Sequence, residues 1–295
     1  MQTGILLGFL SYFVYACSDA LIKYLGGHIP VFEIGFFTSV FAILPALLTK
    51  ERGDSWRSVL VPHRPKLVLL RMTSGTLGGI LAVVAFTSLP LADAYALIFL
   101  LPVFVTILST LILKEPVGWM RWSAVIAGLI GVLLVVRPGF REILPGHLAA
   151  IGCAFCGAIT VIVLRVLGPT ERRITLIGSV VISAFIVNGI LMIPQFVMPT
   201  LDILPYVVAA GLCAGAGHLI QVYATRAAPA NRVAPTQYSQ IIWATIIGAM
   251  FFDEFPDAFG IAGMSLVALS GLFTFLREEK RSGWSRRTPL DRNRV

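Results

Sequence analysis

The chain has 295 residues, 57% of them hydrophobic and only 13% charged, with a mean hydropathy of +0.87. A soluble domain carries about 25% charged residues, so too little polar surface exists here to cover a soluble globule. The net charge of +8 does not point to nucleic acid, because the basic residues sit between apolar runs and near the C-terminus, with no basic face of interleaved aromatics.

The apolar residues come in runs of about 20, the length a helix needs to cross the ~30 Å of hydrocarbon in a bilayer. Ten spans are expected in chain order: 3–25, 29–49, 66–88, 91–113, 119–136, 147–167, 175–198, 203–227, 231–252 and 256–276. The fold class is therefore all-α integral membrane. The start, Met1-Gln2-Thr3-Gly4, lacks a basic region, and the first apolar run contains Asp19 and Lys23, so it reads as a span and not as a cleavable leader. Connections are short, so neighbouring helices must run antiparallel. Pro30, Pro90, Pro116, Pro205, Pro229 and Pro256 stand near span boundaries, where a missing N–H costs little.

Lysine and arginine placement sets the orientation. With the N-terminus inside, 20 of the 23 basic residues lie on the cytoplasmic side, against Lys23, Arg137 and Arg141 outside. That imbalance predicts both termini in the cytoplasm of a bacterial-type inner membrane, and so an even number of spans. The tail from 278 to 295 is basic and polar, and is expected to be a solvated segment or to rest on anionic lipid head groups.

The two halves repeat. An offset of 139 residues aligns Pro90 with Pro229, Thr106 with Thr245, Glu115 with Glu254, and Gly78 with Gly217. An offset of 142 aligns Ala16 with Ala158, Lys23 with Arg165, and Gly26 with Gly168. Residues 1–140 and 141–277 thus form two five-span repeats. Five is odd, so the halves insert in opposite directions. This is a plan that transporters use for alternating access, with the solute site near the midplane between halves.

Several strings carry a family resemblance. They are Ser18-Asp19-Ala20-Leu21-Ile22-Lys23-Tyr24-Leu25 in the first span and Leu89-Pro90-Leu91-Ala92-Asp93-Ala94 entering the fourth. Gly128-Leu129-Ile130-Gly131-Val132, Arg137-Pro138-Gly139 and Ala234-Pro235-Thr236-Gln237-Tyr238 follow in order. Together they resemble the drug/metabolite transporter superfamily, specifically its EamA-type ten-helix proteins, over nearly the whole chain. The resemblance implies transport of small organic solutes: amino acids and their derivatives, nucleotide-like cofactors, flavins or S-adenosylmethionine. Near relatives often place an arginine after two aromatics in the second span, where this chain has Phe36-Phe37-Thr38. If that arginine binds solute elsewhere, binding differs here.

Charged and polar groups within spans are costly and need a partner or a water-filled path. Asp19 and Lys23, at i and i+4, either neutralise each other along one helix face or leave the Asp19 carboxylate in a cavity. Glu33 is a candidate to take Lys23 and free Asp19. Arg165 reads as a snorkelling residue at the inner edge. Tyr95, Phe99 and the kink-forming Pro102 line the fourth span, and His218, Gln221 and Tyr223 the eighth. The ninth offers Gln237, Tyr238, Gln240 and Trp243, with Pro235 breaking its hydrogen-bond ladder. Glue between helices and the lining of a solute cavity are both open readings of these amides and aromatics. Asp19, Glu33 and His218 are the candidates for proton coupling. Glu115 and Glu254, each just ahead of a proline, are read as helix caps. The glycines of spans three and eight (Gly75, Gly78, Gly79, Gly211, Gly215, Gly217) are read as close-packing positions.

Catalysis is not expected: no GxSxG, HExxH or P-loop occurs, and no metal-ligand cluster. Cys153 and Cys156 form a CxxC with no second pair, so the four cysteines are read as packing residues and no metal or cofactor is expected. Without a P-loop, transport must run on gradients. The solute expected from the mixed polarity is an amino acid or an amino-acid-derived zwitterion such as a metallophore, moved outward. The alternative is uptake of a cofactor such as riboflavin or S-adenosylmethionine.

Overall fold

A computed structural model describes residues 2–47, 62–112, 118–137, 142–167, 171, 173–228 and 233–282. Helices occupy each of the ten expected spans: α1 (Gln2–Leu25), α2 (Val31–Leu47), α3 (Pro65–Ser88), α4 (Leu91–Ile98) and α5 (Leu101–Ile112), α6 (Trp119–Val136) and α7 (Pro145–Leu167). They continue with α8 (Arg173–Met192), α9 (Leu204–Ala227), α10 (Ser239–Phe251) and α11 (Ala258–Ser282). Helices α4 and α5 are two halves of the fourth span, which breaks at Phe99 and Leu100 just ahead of Pro102. Where a kink is expected, the two halves are joined by a single turn that the Phe99 N–H to Tyr95 carbonyl and Phe104 N–H to Leu100 carbonyl bonds bridge, so the span stays continuous. The ninth span likewise opens as a 3-10 turn over Ala234–Tyr238, around Pro235, before α10 begins.

Six helices are long and apolar enough to cross a membrane by themselves, and shorter apolar helices fill the remaining spans. Large side chains such as Trp119, Met250, Phe251 and Phe255 are more than two-thirds exposed. Around a soluble protein such a belt would be a liability; in hydrocarbon it costs nothing.

The packing obeys the expected two-fold. Helix α1 lies along α9, and its counterpart α7 lies along α3. Helix α9 also meets α2, as α3 meets α8. The pairs α2–α8, α4–α10 and α6–α11 face their own counterparts across the pseudo-axis. Exchanging the five-span halves therefore maps these pairs onto one another, while α1 also meets α3 with no equally close α7–α9 contact. Lipid gives no hydrophobic drive between helices, so close approach must supply the adhesion. Where α6 crosses α11, a Cβ on Gly131 would stand 2.8 Å from the Gly263 carbonyl, and one on Gly263 2.6 Å from the Gly131 carbonyl. Gly211 admits Phe41 and Thr38 of α2, Gly217 admits the Tyr15 ring, and Gly75 and Gly78 admit Val180 and Cys156. Gly79 departs from the expected packing role: nothing lies within 4 Å of its Cβ position. Cys156 is buried, the other three cysteines are half-buried, and all four are free thiols.

Two further expectations are corrected. Glu254 does not cap the last helix. Residues 253–257 form a loop, and Asp257 caps α11 by accepting the Gly260 N–H at 2.8 Å. Helix α11 also runs to Ser282, past its apolar stretch into Arg277, Lys280 and Arg281, so the start of the tail is helical. Cations suit that end of a helix. Glu115, Pro116, Pro229, the Arg165 side chain and the tail beyond Ser282 lie outside the described residues.

Candidate functional site

The polar centre lies where α1, α4 and α10 converge. Asp19 is half-buried in the C-terminal half of α1. The Tyr95 hydroxyl, on α4, donates to Asp19 Oδ2, and the Gln240 Nε2, one residue into α10, donates to the Tyr95 oxygen at 3.2 Å. One relay, Gln240 to Tyr95 to Asp19, thus ties a helix of the first half to the two broken spans. The Tyr95 ring continues an aromatic file: Phe86 at 5.3 Å, Phe99 at 6.0 Å, and Phe99 to Tyr238 at 5.3 Å between centroids. Beside it Trp243 meets Phe13 edge-on at 5.0 Å, and its buried indole Nε1 has no hydrogen-bond partner among the described residues.

Lys23 is not the partner of Asp19. Its Nζ lies 2.7 Å from Glu254 Oε1 and 2.5 Å from the Leu89 carbonyl, with the Phe252 ring 5.4 Å away. Glu254 uses its second oxygen to accept the Leu91 N–H at 3.0 Å, so it caps α4 across the molecule. Nor does Glu33 take Lys23. It is fully buried, accepts the Val197 N–H at 3.1 Å through Oε2, and leaves Oε1 without a partner. Asp19 is left with no cation among the described residues. A carboxylate in that position binds whatever positive charge arrives, a proton or an ammonium group.

The other candidates separate. Gln221 accepts the Ser11 hydroxyl at 2.5 Å and donates to the Tyr12 hydroxyl at 3.3 Å, so it holds α9 to α1 and is occupied as glue. His218 lies two turns beyond Gly211, which faces α2, and its Nε2 has no hydrogen-bond partner among the described residues. Gln237 is half-buried and its amide makes no hydrogen bond among the described residues. The ion pairs at the end of the bundle opposite the N-terminus were not legible in the sequence. Besides Lys23–Glu254, Arg137 pairs with both oxygens of Asp257 and lies over the Phe259 ring at 5.1 Å. No signal in the residue spacing joins positions 23 and 254.

The family description of EamA-like transporters matches residues 2–137 and again 144–276. The chain belongs to the EamA-like transporter family. This EamA-like chain is 30% identical over 277 residues to the pseudopaline exporter CntI of Pseudomonas aeruginosa, covering 92% of this chain and 95% of that one. It is 26% identical over 285 residues to an S-adenosylmethionine uptake transporter of Rickettsia prowazekii, with 94% of each covered. Solute carrier family 35 member G1 of Mus musculus is 29% identical, over 90% of this chain and 76% of that protein. A crystal structure with a TM-score of 0.65 and 16% identity covers 95% of this chain and 99% of its own, and supports the fold alone. The chain is a multi-pass membrane transporter of small solutes, like these relatives.

Proposed function

We propose that this EamA-like protein exports an amino-acid-derived zwitterion bearing at least one ammonium group, by alternating access of its two halves. The repeats are residues 1–140 and 141–277, both termini face the cytoplasm, and the membrane is the inner membrane of a bacterial-type cell. The chain catalyses no chemical step. The single observation that carries the reading is Asp19: a carboxylate held by Tyr95 at the junction of the two broken spans, with no cation among the described residues to neutralise it. Aromatic faces at Tyr95, Phe99 and Tyr238 suit the cationic or planar part of such a solute. Gln237 and Trp243 offer unsatisfied donors for its polar remainder. The family contains a relative named as an exporter of pseudopaline, which agrees with outward movement.

Uptake of a cofactor is the second reading, favoured by the relatives named as S-adenosylmethionine uptake transporters. One experiment separates the two. A deletion host expressing the protein, or its Asp19→Asn or Gln237→Ala variant, is compared by metabolite profiling of cells and medium. Build-up of a solute in the medium with the intact protein, and its retention with Asp19→Asn, is the expected result. Depletion of a vitamin or cofactor from the medium establishes the uptake reading instead.

A further inference from the structure

The outer ion pair and the solute carboxylate share one lysine. Lys23 is a single turn beyond Asp19 on α1, and i,i+4 side chains are neighbours on a helix surface. In this conformation the lysine turns away, onto Glu254, the Leu89 carbonyl and the Phe252 ring. Through Glu254 those contacts tie the outer ends of α1, α4 and α10 together, because the same carboxylate caps Leu91 and its own N–H bonds the Gly248 carbonyl at 3.0 Å. This knot holds those ends together. Two residues other than glycine with positive φ among those described, Arg137 at 46° and Asp253 at 54°, flank it. Such backbone strain persists where the surrounding contacts hold it, and it is common in segments that switch.

We infer that Lys23 is a switch residue. With the outer mouth closed it sits on Glu254 and leaves Asp19 open to a solute ammonium; with the mouth open it moves onto Asp19 and displaces that ammonium outward. The reasoning is one of charge. Opening the mouth parts α1 from the 252–257 loop and takes Glu254 away from Lys23, and a charged group within a span is stabilised by pairing with an opposite charge. The carboxylate one turn back on its own helix is the next acceptor within reach. Solute and Lys23 therefore compete for Asp19, and the competition favours release on the outer side. This rests on the reading of Asp19 as the solute site, and it adds a displacement step which that reading does not require.

The test compares two variants that break the same ion pair. Both Lys23→Gln and Glu254→Gln remove one charge. The glutamine at 254 still caps Leu91, and the glutamine at 23 still has a donor for the Leu89 carbonyl. A role confined to holding the mouth shut predicts the same behaviour for both. The switch predicts opposite behaviour at Asp19. Purified full-length protein in lipid nanodiscs is treated with dicyclohexylcarbodiimide, which attacks protonated carboxyl groups in apolar surroundings, and labelling of Asp19 is read by peptide mass spectrometry. Glu254→Gln frees Lys23 to occupy Asp19, so labelling falls at least three-fold below the intact protein. Lys23→Gln removes the competitor, so labelling equals or exceeds that of the intact protein, and the double variant follows Lys23→Gln. Equal labelling in the two single variants overturns the switch, as does an intact protein whose Asp19 does not label. No solute is present, so this result stands or falls separately from the metabolite profile.

Discussion

Tyr95 is the residue on which the relay turns. It is 3% exposed, and its hydroxyl both donates to Asp19 and accepts from Gln240. Tyr95→Phe keeps the aromatic file and removes both bonds, leaving the Gln240 amide without its acceptor. A hydrogen bond to a charged group is worth about 1.5–3 kcal/mol, which is roughly ten- to hundred-fold in binding. The expected outcome is a folded, normally inserted variant whose solute release falls at least ten-fold, measured by the same metabolite profile. Gln221 supplies the contrast. Its bonds to Ser11 and Tyr12 are interhelical, and such bonds contribute about 0.6 kcal/mol on average in membranes. Gln221→Leu is expected to shift thermal unfolding slightly and leave release within two-fold of the intact protein. A larger loss of release than with Tyr95→Phe would move the solute site towards α9. Gln240 and Gln221 thus differ in what lies across from each: the first bonds Tyr95 of the relay, the second Ser11 and Tyr12 of α1.

At the level of the elements, the two broken spans matter most. The sequence placed Pro102 and Pro235 within spans four and nine, and the structure has a turn just ahead of the first and a 3-10 segment around the second. That was readable because a proline has a fixed local consequence: it lacks an N–H wherever it stands. The carboxylates were not readable in the same way. Glu254 looks like a cap of the helix that follows it, yet it caps α4 across the molecule, with Asp257 capping α11 instead. Glu171 does likewise, accepting the Arg64 N–H at 2.7 Å at the start of α3. Glu33 reaches the backbone of Val197. In each case the partner is more than 100 residues away, so local pattern cannot name it. Pro102→Ala tests the break itself. Alanine restores the donor and lets α4 and α5 run on as one helix, which is expected to raise thermal stability slightly and slow solute release several-fold. Faster release would show that the interruption is not part of the transport path.

For the whole molecule, the two-fold was legible from the offsets of 139 and 142 residues, and the packing follows it from α1–α9 to α7–α3. Sequence alone could not show the conformation in which the halves sit, because two packings of one inverted repeat share every residue. The Lys23–Glu254 pair, which joins positions far apart in the chain, is visible only in three dimensions. The orientation proposed for the bilayer rests on the charge imbalance of 20 to 3, and which mouth is the outer one follows from it. A green fluorescent protein fused after Val295 is expected to fluoresce, because it folds in the cytoplasm, whereas alkaline phosphatase at the same place stays inactive. Alkaline phosphatase fused after Gln195, in the connection between α8 and α9, is expected to be active. The converse pattern would put the Lys23–Glu254 knot on the cytoplasmic side. The displacement by Lys23 would then drive solute inward, and uptake would replace export with every contact at the site unchanged.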